Sequence, residues 1–135
     1  MRMQKRLFES CECCACNHSI SFVLEQPATS RYRCLPQMKR IISNNRHKLS
    51  EHVVDQCAYG TRYKKSTWLL CGNTTGEVPL ESRRCAAVNG LCDYSYKPHT
   101  LLQGRVLANL PCHYPKMLCD ALADVLLKSG RSLIC

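Results

Sequence analysis

The sequence has no long apolar run. No stretch approaches the roughly 18 apolar residues that a membrane-spanning helix needs. Residues 1–10 lack the run of about seven or more apolar residues that is typical of a secretory signal peptide. We therefore expect no membrane partner and an intracellular protein, either nuclear or cytoplasmic. In such a reducing compartment the 12 cysteines are expected to be buried thiols or metal ligands and not a disulfide framework.

Glycine and acidic residues are scarce too. With 6 glycines and no Gly/Ser linker, repeat or low-complexity segment, residues 1–135 are expected to form a single domain. Only 10 residues are acidic against 19 lysines and arginines, so the net charge is +9. This excess favours an anionic partner such as a nucleic-acid backbone. Apolar residues make up 45% of the chain, which is enough for a hydrophobic core.

Apolar patterning predicts four elements in the first half of the chain. A short apolar run ends at Glu25, because Pro27 holds the preceding residue in extended geometry. An amphipathic segment follows Pro36, which suits the first position of a helix. The elements predicted within the core of residues 20–73 are a strand at 20–24, a helix at 35–46, a strand at 52–57 and a strand at 66–71.

The order of these elements predicts an α/β fold. A strand, a covering helix and a second strand form a βαβ unit, whose two strands are expected to be parallel neighbours, with the third strand returning antiparallel at the edge. Residues 74–111 predict a long loop that contains Cys and His. Residues 112–135 hold a C-terminal helix that opens at Pro115, and residues 1–19 are expected to be helical.

Three segments resemble a known family. FVLEQPATS at 22–30, DQCAYG at 55–60 and YKKSTWLLCGN at 63–73 resemble, in that order, the C-terminal half of DNA cytosine-5 methyltransferase-like proteins of phage and mobile-element type. The resemblance implies a partial Rossmann-like sheet and DNA as partner. It implies that Glu25 is the catalytic acid that contacts the target cytosine. It also implies that Lys64 and Lys65, with Arg62 beside them, hold the nucleic acid.

The resemblance also implies that parts of the enzyme are missing. In that family S-adenosylmethionine binds a glycine-rich turn, and the nucleophilic cysteine follows a proline, both upstream of the matched region. Cys112 follows Pro111 but comes after the strands, so it is not the expected nucleophile. We therefore expect a truncated methyltransferase-like chain that binds no cofactor and is inactive alone. A separate chain could supply the missing half.

Two groups of residues could bind zinc. Cys85, Cys92 and His99 lie in the predicted loop, where a metal could replace a core, and Cys71, Cys112 or His113 could complete the set. Residues 11–18 hold four cysteines and a histidine, but their spacing lacks the separated second pair that a tetrahedral site usually uses. Ordinary thiols remain the alternative for both groups.

Other interpretations stay open. The chain could be a small basic nucleic-acid-binding module without catalysis, stabilised by zinc, or a product with no function. Lys64 and Lys65 could lie in a solvated turn, and Glu25 could be a solvated strand end. Trp68 could stack on a base or be buried in the core, and the alternating strand pattern favours the core.

Overall fold

A computed structural model describes residues 21–74, 83–102 and 113–130. In these ranges the chain forms three strands, two helices and short 3-10 turns. The strands and helices are β1 (Phe22–Pro27), α1 (Pro36–Asn44), β2 (Leu49–Asp55), β3 (Ser66–Gly72) and α2 (Lys116–Gly130). The predicted helix at 1–19 lies outside the described residues.

The strands form one antiparallel sheet in the order β1-β3-β2. β3 pairs with β1 on one side and with β2 on the other, so that Leu69 lies opposite both Glu25 and His52. β1 and β2 run in the same direction, but β3 separates them. The predicted pair of adjacent parallel strands is therefore wrong, and the sheet is not Rossmann-like.

The lengths of the connections are compatible with this order. β2 and β3 are joined by the short segment 56–65, which is enough for antiparallel neighbours, whereas β1 and β2 are joined through α1. A crossover that skips one strand leaves a gap, which β3 fills, as in a split βαβ unit. β3 suits the centre because six of its seven residues are buried, starting at Thr67.

The two helices cover opposite faces of the sheet. Trp68 and Leu70 point to one face and pack with α1, while Leu69 and Cys71 point to the other and pack with α2. Trp68 is 1% exposed, which confirms its predicted place in the core. The residues that α1 contributes are Met38, Ile41 and Ile42, and those that α2 contributes are Leu118, Ala121, Leu122 and Val125. Because both faces are covered, β3 reads as a continuous apolar run.

Local signals place the helices well and the first strand less well. α1 has Pro36 at its start and lies within the predicted range 35–46. α2 follows Pro115, whose carbonyl accepts the backbone N–H of Leu118 at 3.0 Å. β1 extends to Pro27, so Glu25 lies inside the strand and not at its tip. Proline is tolerated there because β1 is an edge strand, where a missing N–H costs no ladder bond.

The described part of the predicted loop, residues 83–102, has little regular structure. It holds a 3-10 turn at Val88–Gly90 and a single bridge between Leu91 and Pro98. In the described ranges no helix is long and apolar enough to cross a membrane.

Candidate metal centre

Four potential metal ligands converge beside the end of β2. The ligand atoms of Cys57, Cys85, Cys92 and His99 all lie within 4.8 Å of one another. Cys57 belongs to a 3-10 turn, Gln56–Tyr59, that directly follows β2, and the other three come from the loop 83–102. The three cysteines are buried and His99 is partly buried. This cluster could hold a metal ion.

The distances suit a tetrahedral centre. Sγ of Cys85 lies 3.9 Å from Sγ of Cys92 and 3.7 Å from Nε2 of His99. Metal–ligand bonds of about 2.3 Å to sulfur and about 2.0 Å to nitrogen give tetrahedral edges of about 3.8 Å and 3.5 Å respectively. These two pairs are within a few tenths of an ångström of tetrahedral edges, and the widest separation in the cluster, at most 4.8 Å, would have to close by about 1 Å around one ion.

A tight turn brings Cys92 and His99 into the same cluster despite the six residues between them. The N–H of Cys92 donates to the carbonyl of Lys97 at 2.9 Å, and the N–H of Tyr96 donates to the carbonyl of Cys92 at 2.9 Å. Tyr96 closes the turn in the left-handed region, with φ of 55°. The following residues then return the chain to the cluster.

Backbone N–H groups surround the sulfur atoms. The N–H of Asp93 points at Sγ of Cys85, at 3.4 Å. Burial acts to raise the pKa of Cys92, but hydrogen bonds from Tyr94 and Ser95 outweigh it and lower that pKa to about 6. Burial, followed by the neighbouring thiols, raises the pKa of Cys57. A bound cation would allow several of these thiols to ionise together.

Asp55 anchors the loop that carries Cys85. Its carboxylate is fully buried and accepts the N–H of Cys85 at 2.8 Å, the Nε–H of Arg84 at 3.0 Å and the hydroxyl of Ser66. The N–H of Asp55 donates to the carbonyl of Arg83 at 2.9 Å. Burial acts to raise the pKa of Asp55, but the hydrogen bonds and the Arg84 charge hold it below its usual value. Since Cys57 is two residues further on, Asp55 positions two ligands.

The three residues predicted to bind nucleic acid have different surroundings. Lys64 Nζ donates to the carbonyl of Cys85 at 2.6 Å, so Lys64 supports the metal cluster. Lys65 Nζ lies 5.7 Å from the centre of the Tyr114 ring. The carbonyl of Arg62 accepts the N–H of Thr100 at 2.8 Å, and Arg62 borders a cleft beside the cluster.

Glu25 lies in a different environment from the metal cluster. It is partly buried on β1 and accepts a hydrogen bond from the hydroxyl of Tyr114. Burial, followed by Glu25, raises the pKa of Tyr114. Oε1 of Glu25 has no hydrogen-bond partner in the described part of the chain.

The structure brings together the three predicted metal ligands and adds Cys57, which the sequence interpretation left in a strand. The strand ends at Asp55, and the polar pair Asp55-Gln56 before Cys57 was the available signal for that end. Of the fourth ligands considered, Cys71 lies in the core against α2, where burial raises its pKa to about 11, and His113 is exposed. Cys112 and residues 11–18 lie outside the described residues.

Comparisons with protein-family models, with curated proteins and with solved structures give no match to this chain.

Proposed function

We propose that the chain is a zinc-stabilised binding module without catalytic activity. The convergence of Cys57, Cys85, Cys92 and His99 is the observation that carries the proposal. Three thiolates and one imidazole are a donor set that zinc prefers, whereas calcium and magnesium prefer oxygen ligands. Four protein ligands fill a tetrahedral ion, so no position remains for a substrate or a reactive water. The centre is therefore structural.

Zinc would supply the stability that the loop 83–102 lacks. The buried residues of this loop, Cys85 and Cys92, pack only with Cys57 and the partly buried Ala87 in their own small cluster. Such a cluster buries little apolar area, so binding energy from a metal would contribute directly to folding. Lys64 donates to the carbonyl of Cys85 and Arg84 pairs with Asp55, so both basic residues hold the segment that carries Cys85.

Nucleic acid is the partner that the charge of the chain favours. Exposed basic side chains lie on α1 and around the metal centre, and the net charge is +9. The methyltransferase resemblance stays a hypothesis about the sequence, without the parallel sheet that it implies. A basic module that contacts phosphates needs no such sheet.

Metal analysis of the purified chain tests the zinc site. We expect zinc in the wild-type protein and about one equivalent less in Cys92→Ser, because a serine hydroxyl is a poor zinc ligand. Cys34→Ser is the matched control, since Cys34 is an exposed free thiol outside the cluster, and its zinc content should equal that of the wild type. Equal zinc in Cys92→Ser and the control would contradict the proposal.

Binding to labelled oligonucleotides at several salt concentrations tests the partner. We expect log K to fall linearly with log salt concentration, because each phosphate contact releases a counterion. A protein that retains its zinc but binds no oligonucleotide at about 50 mM salt would contradict nucleic-acid binding while leaving the metal centre intact.

A further inference from the structure

An open cleft adjoins the metal centre. It has a volume of about 540 Å³, within the range of about 300–1,000 Å³ that small-molecule sites occupy. Its base is formed by the turn that carries Cys57, one wall by the metal-bearing loop, and another by Met117 at the start of α2. The backbone N–H of Thr100 in that loop donates to the carbonyl of Arg62 at 2.8 Å, which joins the loop to the segment that follows the base turn.

The lining is cationic and partly apolar. Arg62 and Lys97 both line the cleft, and no acidic residue does so within the described ranges. Neither of these side chains forms an ion pair with any residue that the structure describes. Tyr94 supplies an aromatic face, and its hydroxyl is tied to the carbonyl of Arg84 at 3.0 Å. Two free cations beside a fixed ring suit a phosphate attached to a flat apolar group.

A second aromatic ring stands two residues away. Tyr96 is 78% exposed, yet its backbone is held in the left-handed region with φ of 55°. This conformation is uncommon for a residue with a side chain and often marks a functional position. The exposed ring of Tyr96 directly precedes Lys97 in the chain and can stack on a base.

We propose that this cleft binds one nucleotide of a single-stranded nucleic acid, with the base against Tyr94, the phosphate between Arg62 and Lys97, and a neighbouring base on Tyr96. The inference rests on the proposed nucleic-acid binding and names its site and ligand. Bases within a duplex are stacked on both faces and cannot enter a concave site, whereas bases of a single strand can.

The test compares two double variants that remove the same charge. Arg62→Gln/Lys97→Gln alters the cleft, and Lys39→Gln/Arg46→Gln alters exposed residues on and just after α1. The probes are a labelled 12-nucleotide oligothymidylate and a labelled duplex of equal length. We expect the cleft variant to bind the single strand at least tenfold more weakly and to lower the slope of log K against log salt concentration by about 1.4. We expect the control variant to lose affinity for the single strand and for the duplex about equally. Tyr96→Ala should weaken single-strand binding by about tenfold.

The outcomes separate the two proposals. If the cleft variant and the control variant lose the same affinity for both probes, the cleft is not the binding site, while nucleic-acid binding itself stands. No binding of either probe by the zinc-containing wild type would overturn both. Binding of a phosphopeptide in the cleft without binding of oligothymidylate would also overturn the inference. Zinc content equal to that of the wild type shows that each variant is folded around the metal.

Discussion

Asp55→Asn should both destabilise the fold and weaken metal binding. The buried carboxylate accepts hydrogen bonds from Cys85, Arg84 and Ser66, two of them on Oδ2. An asparagine of the same shape offers one carbonyl oxygen and one NH2 group, so the NH2 group must face at least one of these donors. The substitution also removes the negative charge with which Arg84 pairs.

The expected loss is about 3 kcal/mol in the free energy of unfolding. Hydrogen bonds to a charged group contribute about 1.5–3 kcal/mol and neutral ones about 0.5–1.5 kcal/mol, and three bonds lose the charge of their acceptor. Arg84 is 51% exposed, so solvent screens its own contribution. Zinc affinity should fall by about tenfold, because Asp55 orients Cys85 without binding the metal itself.

Urea unfolding and a zinc competition titration measure the two effects. Asp120→Asn is the matched control: Asp120 pairs with Lys116 at 2.7 Å, but both side chains are exposed, so its loss should change the stability far less than Asp55→Asn does. Equal destabilisation by the two variants would refute the reasoning. Because the fold lowers the pKa of Asp55, the difference from wild type should be complete above pH of about 4 and disappear as the pH falls through the lower folded value.

Two further substitutions probe the sheet and the metal loop. Gly72→Ala should destabilise the fold by about 1–3 kcal/mol, because a Cβ at this position would lie 2.1 Å from the ring of Phe22. In a Phe22→Ala background the same change should cost little, and additive costs in urea unfolding would contradict this contact. Lys64→Met should lower zinc affinity by about tenfold and change oligonucleotide binding little, since Lys64 holds the carbonyl of Cys85. Weaker oligonucleotide binding with unchanged zinc affinity would instead place Lys64 on the nucleic acid.

Local patterns predicted the elements better than their arrangement. Pro36 and the apolar spacing behind it predicted α1, and the run around Trp68 predicted β3. The predicted strand order was wrong because backbone hydrogen bonds are the same for every sequence. An apolar run therefore does not identify the strands that pair with it. Glu25 was predicted at the tip of a strand but lies inside it, because Pro27 is compatible with an edge strand. Whether a strand lies at an edge is a property of the whole sheet.

The group of candidate metal ligands was likewise predictable only in part. Cys85, Cys92 and His99 lie in one loop, so their nearness was predictable from the sequence. Cys57 is 28 positions before Cys85, and it reaches the cluster because β2 ends at Asp55 and because Asp55 binds the backbone of Cys85.

The sequence by itself determined the charge of the chain, the chemical type of its ligands, the two helices and the apolar character of β3. Only the tertiary structure decided which strands are neighbours, which cysteine completes the cluster, and which basic side chains are free to meet a ligand. Residue type and local spacing act within a few residues, whereas these three outcomes depend on contacts between segments that are distant in the chain and on the closure of the loops between them.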